Sequence, residues 1–320
     1  MGEILALASA LSFGISSIFV GRAVLKIEKK GRDLGVLITI LINTVISTLA
    51  LGIYIATAGI PAVNTNAVFY FMLVGLFSAF LGRTLFFEGI THIGPARSSA
   101  IKLFGPVFTI IIGVAFLDEK LNVITWGGLT AVLAGLFLIA WEMVQKEKKK
   151  ETADPDMLDA ELKRSNNGSR MLSRNIKGIA LGVLAGTSYG TATVFRKVGM
   201  QAMPNAFVGT WLAFSTSLIL YFSFMCRIYG FKRLMALIKG SVDINYLYSG
   251  IFTTAAQFLI LLSVKIIGVG IANTLLNTDA VFTTVMGYFV LKNRERISVY
   301  TVGGVLSVTA GVALILASKT

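Results

Sequence analysis

Ser12-Phe13-Gly14 returns as Ser188-Tyr189-Gly190, Glu119-Lys120-Leu121 returns as Glu295-Arg296-Ile297, and Gly127-Gly128 followed by Gly135 returns as Gly303-Gly304 followed by Gly311. All three recurrences share an offset of 176 residues. Between them, Gly94 matches Gly268, Phe108-Thr109 matches Phe282-Thr283 and Gly113 matches Gly287 at an offset of 174, which a two-residue insertion near Lys292-Asn293 reconciles. The second half of the chain therefore reads as a copy of the first.

Composition says what each copy is made of. Of the 320 residues 55% are hydrophobic, and the 32 glycines raise the apolar share to about 65%, where a soluble domain runs at about 45–50%. Charged residues supply 14%, against a usual share of about 25%, and the mean hydropathy is +0.78. Folding cannot hide that much apolar surface from water, because over half of any folded surface is apolar already. The chain reads as an integral membrane protein.

About 20 apolar residues cross a bilayer as a helix. Ten stretches qualify: Ile4–Val20, Leu34–Ala56, Val68–Ile90, Ser98–Leu117, Val123–Met143, Ile176–Phe195, Phe207–Tyr229, Ile244–Val264, Ile271–Leu291 and Val299–Ala317. The first carries Glu3 rather than a basic leader and recurs later as an internal span, so it is expected to stay as a helix and not to be cleaved. Residues 1–144 and 176–320 form two five-span units, joined by a polar linker at 145–175 that combines the Lys146–Lys150 basic run with Asp154, Asp156 and Asp159 and is expected to be part disordered and part amphipathic helix.

Five is odd, so the second unit must enter the membrane from the opposite side. The predicted fold is all-α: ten transmembrane helices arranged as two inverted five-helix repeats. Many secondary transporters achieve alternating access through this architecture, with the substrate near the midplane between the repeats. Gly178, Gly182, Gly186 and Gly190 recur every four residues in the sixth span, with Gly2, Ala6, Ala10 and Gly14 at matching positions of the first, as helices in close backbone contact require. Gly128/Gly135 and Gly304/Gly311 are packing faces of the fifth and tenth spans, and a homodimer contact is one use for them.

Connections after spans 1, 3, 5, 7 and 9, with the span ends adjoining them, hold 22 Lys and Arg, while the other connections and the termini hold Lys120, Arg196, Lys197, Lys265 and Lys319. By the positive-inside rule the rich set is cytoplasmic and both termini face outward. The net charge of +13 is thereby explained by topology and by contact with anionic lipids of the bilayer, with no nucleic acid as partner. One histidine and one cysteine cannot build a zinc cluster or an internal disulfide, no Gly-Lys-Ser/Thr closes a phosphate-binding loop, and no catalytic constellation or cofactor is implied. The expected partner is a small-molecule substrate.

Ionisable groups inside a membrane are costly and point to function. Arg83, Glu88, Lys102 and Asp279 lie within spans. Lys102 sits about a turn into the fourth span and Asp279 about two turns into the ninth. At the 174 offset Asp279 corresponds to Gly105, so the two charges project from equivalent faces of symmetry-related helices. Either Lys102 attracts a carboxylate or phosphate while Asp279 binds an amine or a coupling proton, or the two form a structural ion pair locking the halves. Arg83 lines a cavity or snorkels to the headgroups. Glu88 and His92, four apart, are a local pair. Tyr189, Asn43, Gln257, Asn273, Asn277 and Thr283 are polar candidates for substrate contact or helix-to-helix bonding, with Tyr189, Asn273 and Asn277 joining Lys102, Asp279 and Arg83 as the predicted substrate site. Pro106 is the predicted hinge, kinking the fourth span, with Ala280 in its place in the ninth.

The run Gly94-Pro95-Ala96 through Pro106, Gly113, Leu117 and Glu119 to Gly127-Gly128 and Gly135 resembles the EamA-type module of the drug/metabolite transporter superfamily, and two such modules cover nearly the whole chain. Ser12-Phe13-Gly14 and Ser188-Tyr189-Gly190 are similar to that family's opening helices. The resemblance implies a ten-helix inverted-repeat carrier with spans 1–4 and 6–9 around a central cavity and spans 5 and 10 at the periphery, and the expected location is the plasma membrane. It also implies cytoplasmic termini, opposite to the charge reading. The second copy departs from the pattern by lacking the proline and by ending Lys292-Asn293-Arg294-Glu295.

Overall fold

The structure, a computed structural model, describes residues 1–24, 29–105, 107–108, 123–151, 158–240, 243–267, 275–290 and 298–317, and among these it is helical with no strand. The elements are α1 (Gly2–Val24), α2 (Lys29–Ala58), α3 (Thr65–Val74), a π-helical stretch (Gly75–Gly82), α4 (Arg83–Ile93), α5 (Pro95–Lys102), α6 (Val123–Glu151), α7 (Leu158–Ala202), α8 (Ala206–Tyr229), α9 (Phe231–Gly240), α10 (Ile244–Ile267), α11 (Asp279–Val290) and α12 (Val299–Ala317). Local chemistry sets the ends. Asn64 and Asn205 cap α3 and α8, each side-chain oxygen accepting the N–H two residues on, at 2.9 and 3.1 Å. Gly94 (φ 84°) and Gly230 (φ 75°) turn the chain between consecutive helices in a conformation that a Cβ disfavours.

Five helical segments, Gly2–Val24, Asp33–Ala58, Thr65–Ile93, Ser173–Ala202 and Ala206–Tyr229, are long and apolar enough to cross a bilayer, and Trp126–Ile139, Asp279–Val290 and Val299–Leu314 are shorter apolar helices. Large side chains such as Ile53, Phe137, Ile219 and Phe289 stand 63–74% exposed on the outer faces, a surface suited to lipid and not to water. Parts of the expected fourth and ninth spans, including Pro106 and Asn273, lie outside the described residues. In the linker, α6 extends to Glu151 and α7 starts at Leu158, so its described residues are all helical and the sixth span is continuous with the polar segment before it.

The repeat is visible in the way helices meet. A Cβ added at Gly135 would lie 2.5 Å from the Gly304 carbonyl oxygen, and one at Gly311 would lie 2.6 Å from that of Gly128. Ser307 donates to the Ala131 carbonyl between them at 2.8 Å. Gly128 therefore opposes Gly311, the copy of Gly135, and Gly135 opposes Gly304, the copy of Gly128, so α6 and α12 run antiparallel. Gly128, Gly135, Gly304 and Gly311 are thus packing faces of the fifth and tenth spans, meeting each other within one chain.

α1 and α10 also run antiparallel, stitched by Ser9 to the Ala256 carbonyl (2.7 Å), Ser16 to Ser249 and Thr253 (both 2.8 Å) and Ser263 to the Gly2 carbonyl (2.8 Å). Such bonds hold helices where lipid offers no hydrophobic drive. The equivalent pairing in the other half is α7 against α3, the π stretch and α4. The glycine stripe of α7 also lets it close on α4 and α5: a Cβ at Gly178 would meet the Ile93 side chain at 2.4 Å, one at Gly182 the Ile101 side chain at 2.7 Å and one at Gly186 the Lys102 carbonyl at 2.5 Å. The largest buried cluster gathers Ile40, Phe86, Tyr221, Met225 and Tyr246 from α2, α4, α8 and α10, with Cys226 packed against it as a partly buried thiol. A second cluster joins Ile101, Val132, Ile139 and Val308 from α5, α6 and α12.

Candidate functional site

Arg83 is presented by an unusual piece of backbone. The π stretch before it closes wider hydrogen-bonded rings than an α-helix, a feature frequent at functional sites. It is clasped on two sides. A Cβ at Gly75 would lie 2.3 Å from the Ala213 carbonyl of α8, and one at Gly82 would lie 3.0 Å from the Tyr189 ring of α7. Ser188 donates to the Phe77 carbonyl at 2.6 Å. Arg83 follows immediately, 8% exposed. With the Asn43 amide turned to satisfy both its ends, its oxygen accepts from Nη1 and Nη2 of Arg83 at 2.7 and 2.9 Å, and its nitrogen donates to the Gly250 and Thr39 carbonyls at 2.9 and 3.0 Å. The Phe214 ring lies 5.8 Å from the guanidinium carbon. Among the described residues no carboxylate pairs with Arg83.

Lys102 and Asp279 form a direct ion pair between the two halves of the chain, with Asp279 4% exposed and Phe86 stacked 5.0 Å from the Lys102 ammonium. Each sits at an interruption. The Leu103 N–H turns back to the Ala100 carbonyl (3.1 Å) at the end of α5, and the Thr278 N–H turns back to that of Leu275 (3.2 Å) just before α11. Position 103 corresponds to 277 at the 174 offset, so the segments expected as the fourth and ninth spans are interrupted at equivalent points. The ninth does so without a proline, an interruption that the sequence reading, which looked to Pro106, did not anticipate. Short tight turns inside spans are tolerated where they line a cavity.

That cavity, of about 360 Å³, is lined by Lys102, Asp279, Arg83, Tyr189, Asn277, Gln257, Thr253, Phe214 and Arg196 among others. Its walls follow the repeat: Phe13 with Tyr189, Ser17 with Thr193, Val20 with Arg196, Ala79 with Thr253 and Arg83 with Gln257 all line it in pairs. Five of the predicted site residues, Lys102, Asp279, Arg83, Tyr189 and Asn277, thus share one cavity, and Arg83 is a cavity residue rather than a snorkelling one. Asn43 stands behind Arg83 and positions it. Thr283 donates to the Asp279 carbonyl at 2.8 Å and does not line the cavity. Glu88 and His92 pair locally at 3.7 Å. Arg196 was missed because it was counted with the connecting loops, although seven residues from Tyr189 is two helical turns and the same face. A further buried pair, Arg97 with Glu142 at 3.1 Å, with Thr301 bonded to the same carboxylate, fastens α5 to α6 and α12 away from the cavity. Among the described residues no group of acidic, histidine and cysteine side chains could hold a metal ion.

The pattern of the EamA-like transporter family matches residues 1–141 and again 176–317. The chain belongs to the EamA-like transporter family. It is a multi-pass integral membrane protein. A stretch of 69 residues is 36% identical to "Uncharacterized transporter YcbK" of Bacillus subtilis (strain 168), covering 21% of this chain and 22% of that relative's length. A solved structure described as "Crystal structure of protein" aligns over 100% of this chain and 99% of its own with a TM-score of 0.57 at 11% identity, a likeness of fold alone.

Proposed function

We propose that the protein is a secondary carrier that moves a small charged or zwitterionic metabolite across the plasma membrane by alternating access. In this reading the chain crosses the bilayer ten times as two inverted five-helix halves, with the basic connections and their anionic-lipid contacts on the cytoplasmic side and both termini outside. The observation that carries it is the cavity between the halves, spanned by the Lys102–Asp279 pair at two matched helix interruptions. Discontinuous helices from two related halves meeting at a binding site are how inverted-repeat carriers hold a solute that each half can release in turn. A buried ion pair is disrupted at high cost by losing one partner. A solute or proton that competes for either member therefore links occupancy to the separation of the halves.

Purified protein in liposomes should take up such a solute with saturating kinetics. Lys102→Ala and Asp279→Asn should each slow it at least tenfold. Wild-type rates in both variants would overturn the site, and a flux that grows linearly with solute concentration would replace the carrier with a channel.

A further inference from the structure

The charges that line the cavity do not balance. Asp279 is spent on Lys102. Arg83 and Arg196 remain, and among the described residues neither has a carboxylate partner. Arg83 is buried and Arg196 partly so; withdrawing a cation from water without a counter-charge is costly, most of all at Arg83, and an arriving anion offsets that cost. Asn43 takes one terminal N–H each from Nη1 and Nη2 of Arg83 and holds the guanidinium in place, leaving its other N–H groups for a ligand. The Tyr189 hydroxyl, beside Arg83 on the same wall, makes no hydrogen bond among the described residues. A planar guanidinium with a fixed orientation and a neighbouring hydroxyl is donor geometry for a carboxylate or phosphate. Nothing comparable awaits an amine: among the described residues Asp279 is the cavity's one carboxylate, and it is engaged.

Two more features refine the ligand. Arg196 stands two turns from Tyr189 along α7, about 10 Å along the axis, at the end of the cavity nearer the helix terminus. The wall between is aromatic, from Phe13, Phe71 and Phe214, which suits an apolar body better than a hydrated inorganic ion.

We propose that this cavity takes an organic anion, its carboxylate or phosphate on Arg83 and Tyr189, its apolar body along the aromatic wall, and Arg196 attracting it or holding a second anionic group. The inference rests on the carrier reading for its biological meaning but not for its test, which measures binding and not flux. Four probes of one shape separate the charges: phenyl phosphate, benzoate, benzyl alcohol and benzylamine, each added at millimolar concentration to the detergent-solubilised full chain during thermal unfolding. The two anions should raise the melting temperature by at least about 2 °C, more at low salt than at high, and the alcohol and the amine should not. Arg83→Gln should abolish the shift, Arg83→Lys should keep part of it, and Arg196→Gln should weaken binding severalfold. Where Arg83→Gln unfolds during purification, Arg196→Gln and Arg83→Lys carry the comparison. Equal shifts from benzylamine or benzyl alcohol, no shift from either anion, or an undiminished shift in both Arg196→Gln and an intact Arg83→Gln would overturn the assignment. A shift from benzylamine alone would retire the anion while leaving a carrier for cations in place.

Discussion

Where the second half of the chain carries Arg196 on the cavity wall the first carries Val20, and where the first carries Arg83 the second carries Gln257. The copy of Lys102 is Leu276, and the copy of Asp279 is Gly105. Away from the wall, the glycines of α6 and α12 and the small-residue faces of α1 and α7 match position for position. Packing is a pairwise matter between helix backbones, and an antiparallel pair that works at one end of the molecule works when its roles are exchanged. A ligand on the axis between the halves meets each wall once. A wall with identical charges on both sides would repel itself and could not tell one end of a solute from the other. The backbone keeps the exchange and the charged side chains abandon it.

The largest test of that division concerns the ion pair, whose members have no copies. Lys102→Ala leaves the Asp279 carboxylate buried alone and should cost about 3–5 kcal/mol in unfolding free energy, whereas Lys102→Met combined with Asp279→Leu should recover most of that stability without recovering transport. Transport regained by the double variant would turn the pair into a structural clasp. Next come the symmetric glycines. Gly135→Ala and Gly311→Ala push a Cβ into the facing carbonyl and should each cost about 1–3 kcal/mol in similar measure, while the same change at Gly127 or Gly303, where a Cβ meets nothing within 4 Å, should leave the melting temperature unmoved. Unequal costs at Gly135 and Gly311 would break the symmetry. The smallest effect separates one matched pair of serines. Ser188 bonds across to Phe77, but its copy Ser12 bonds to Ala8 within its own helix at 2.8 Å. Ser188→Ala should therefore cost about 1 kcal/mol by thermal unfolding and Ser12→Ala close to none.

Much of this was legible in the sequence. The offsets of 174 and 176 located the equivalent helices, and the glycine spacing identified the faces on which they meet, because close backbone approach in lipid admits few residue types. Lys102 and Asp279 could be paired on paper since an ionisable side chain inside a span has few places to go. Less was readable where the answer depended on backbone detail. Nothing in Gly75-Leu76-Phe77-Ser78 announces a π turn, and nothing in Asn277-Thr278 announces an interruption, because both arise from contacts with α7, α8 and α5 that lie more than a hundred residues away. Arg196 was hidden by a boundary: placing the end of the sixth span at Phe195 put a cavity residue into a loop.

The wide turn between Gly75 and Gly82 has one more consequence. It admits more residues per revolution than the helix on either side, and each added residue changes the heading of everything downstream by about 100°. The direction of the guanidinium is consequently set by the length of the segment, independently of what any side chain in it does. Shortening that stretch by one residue would swing Arg83 out of the hollow with its chemistry untouched, and under the proposed anion site an insertion or deletion there would alter specificity as surely as a substitution of the arginine itself.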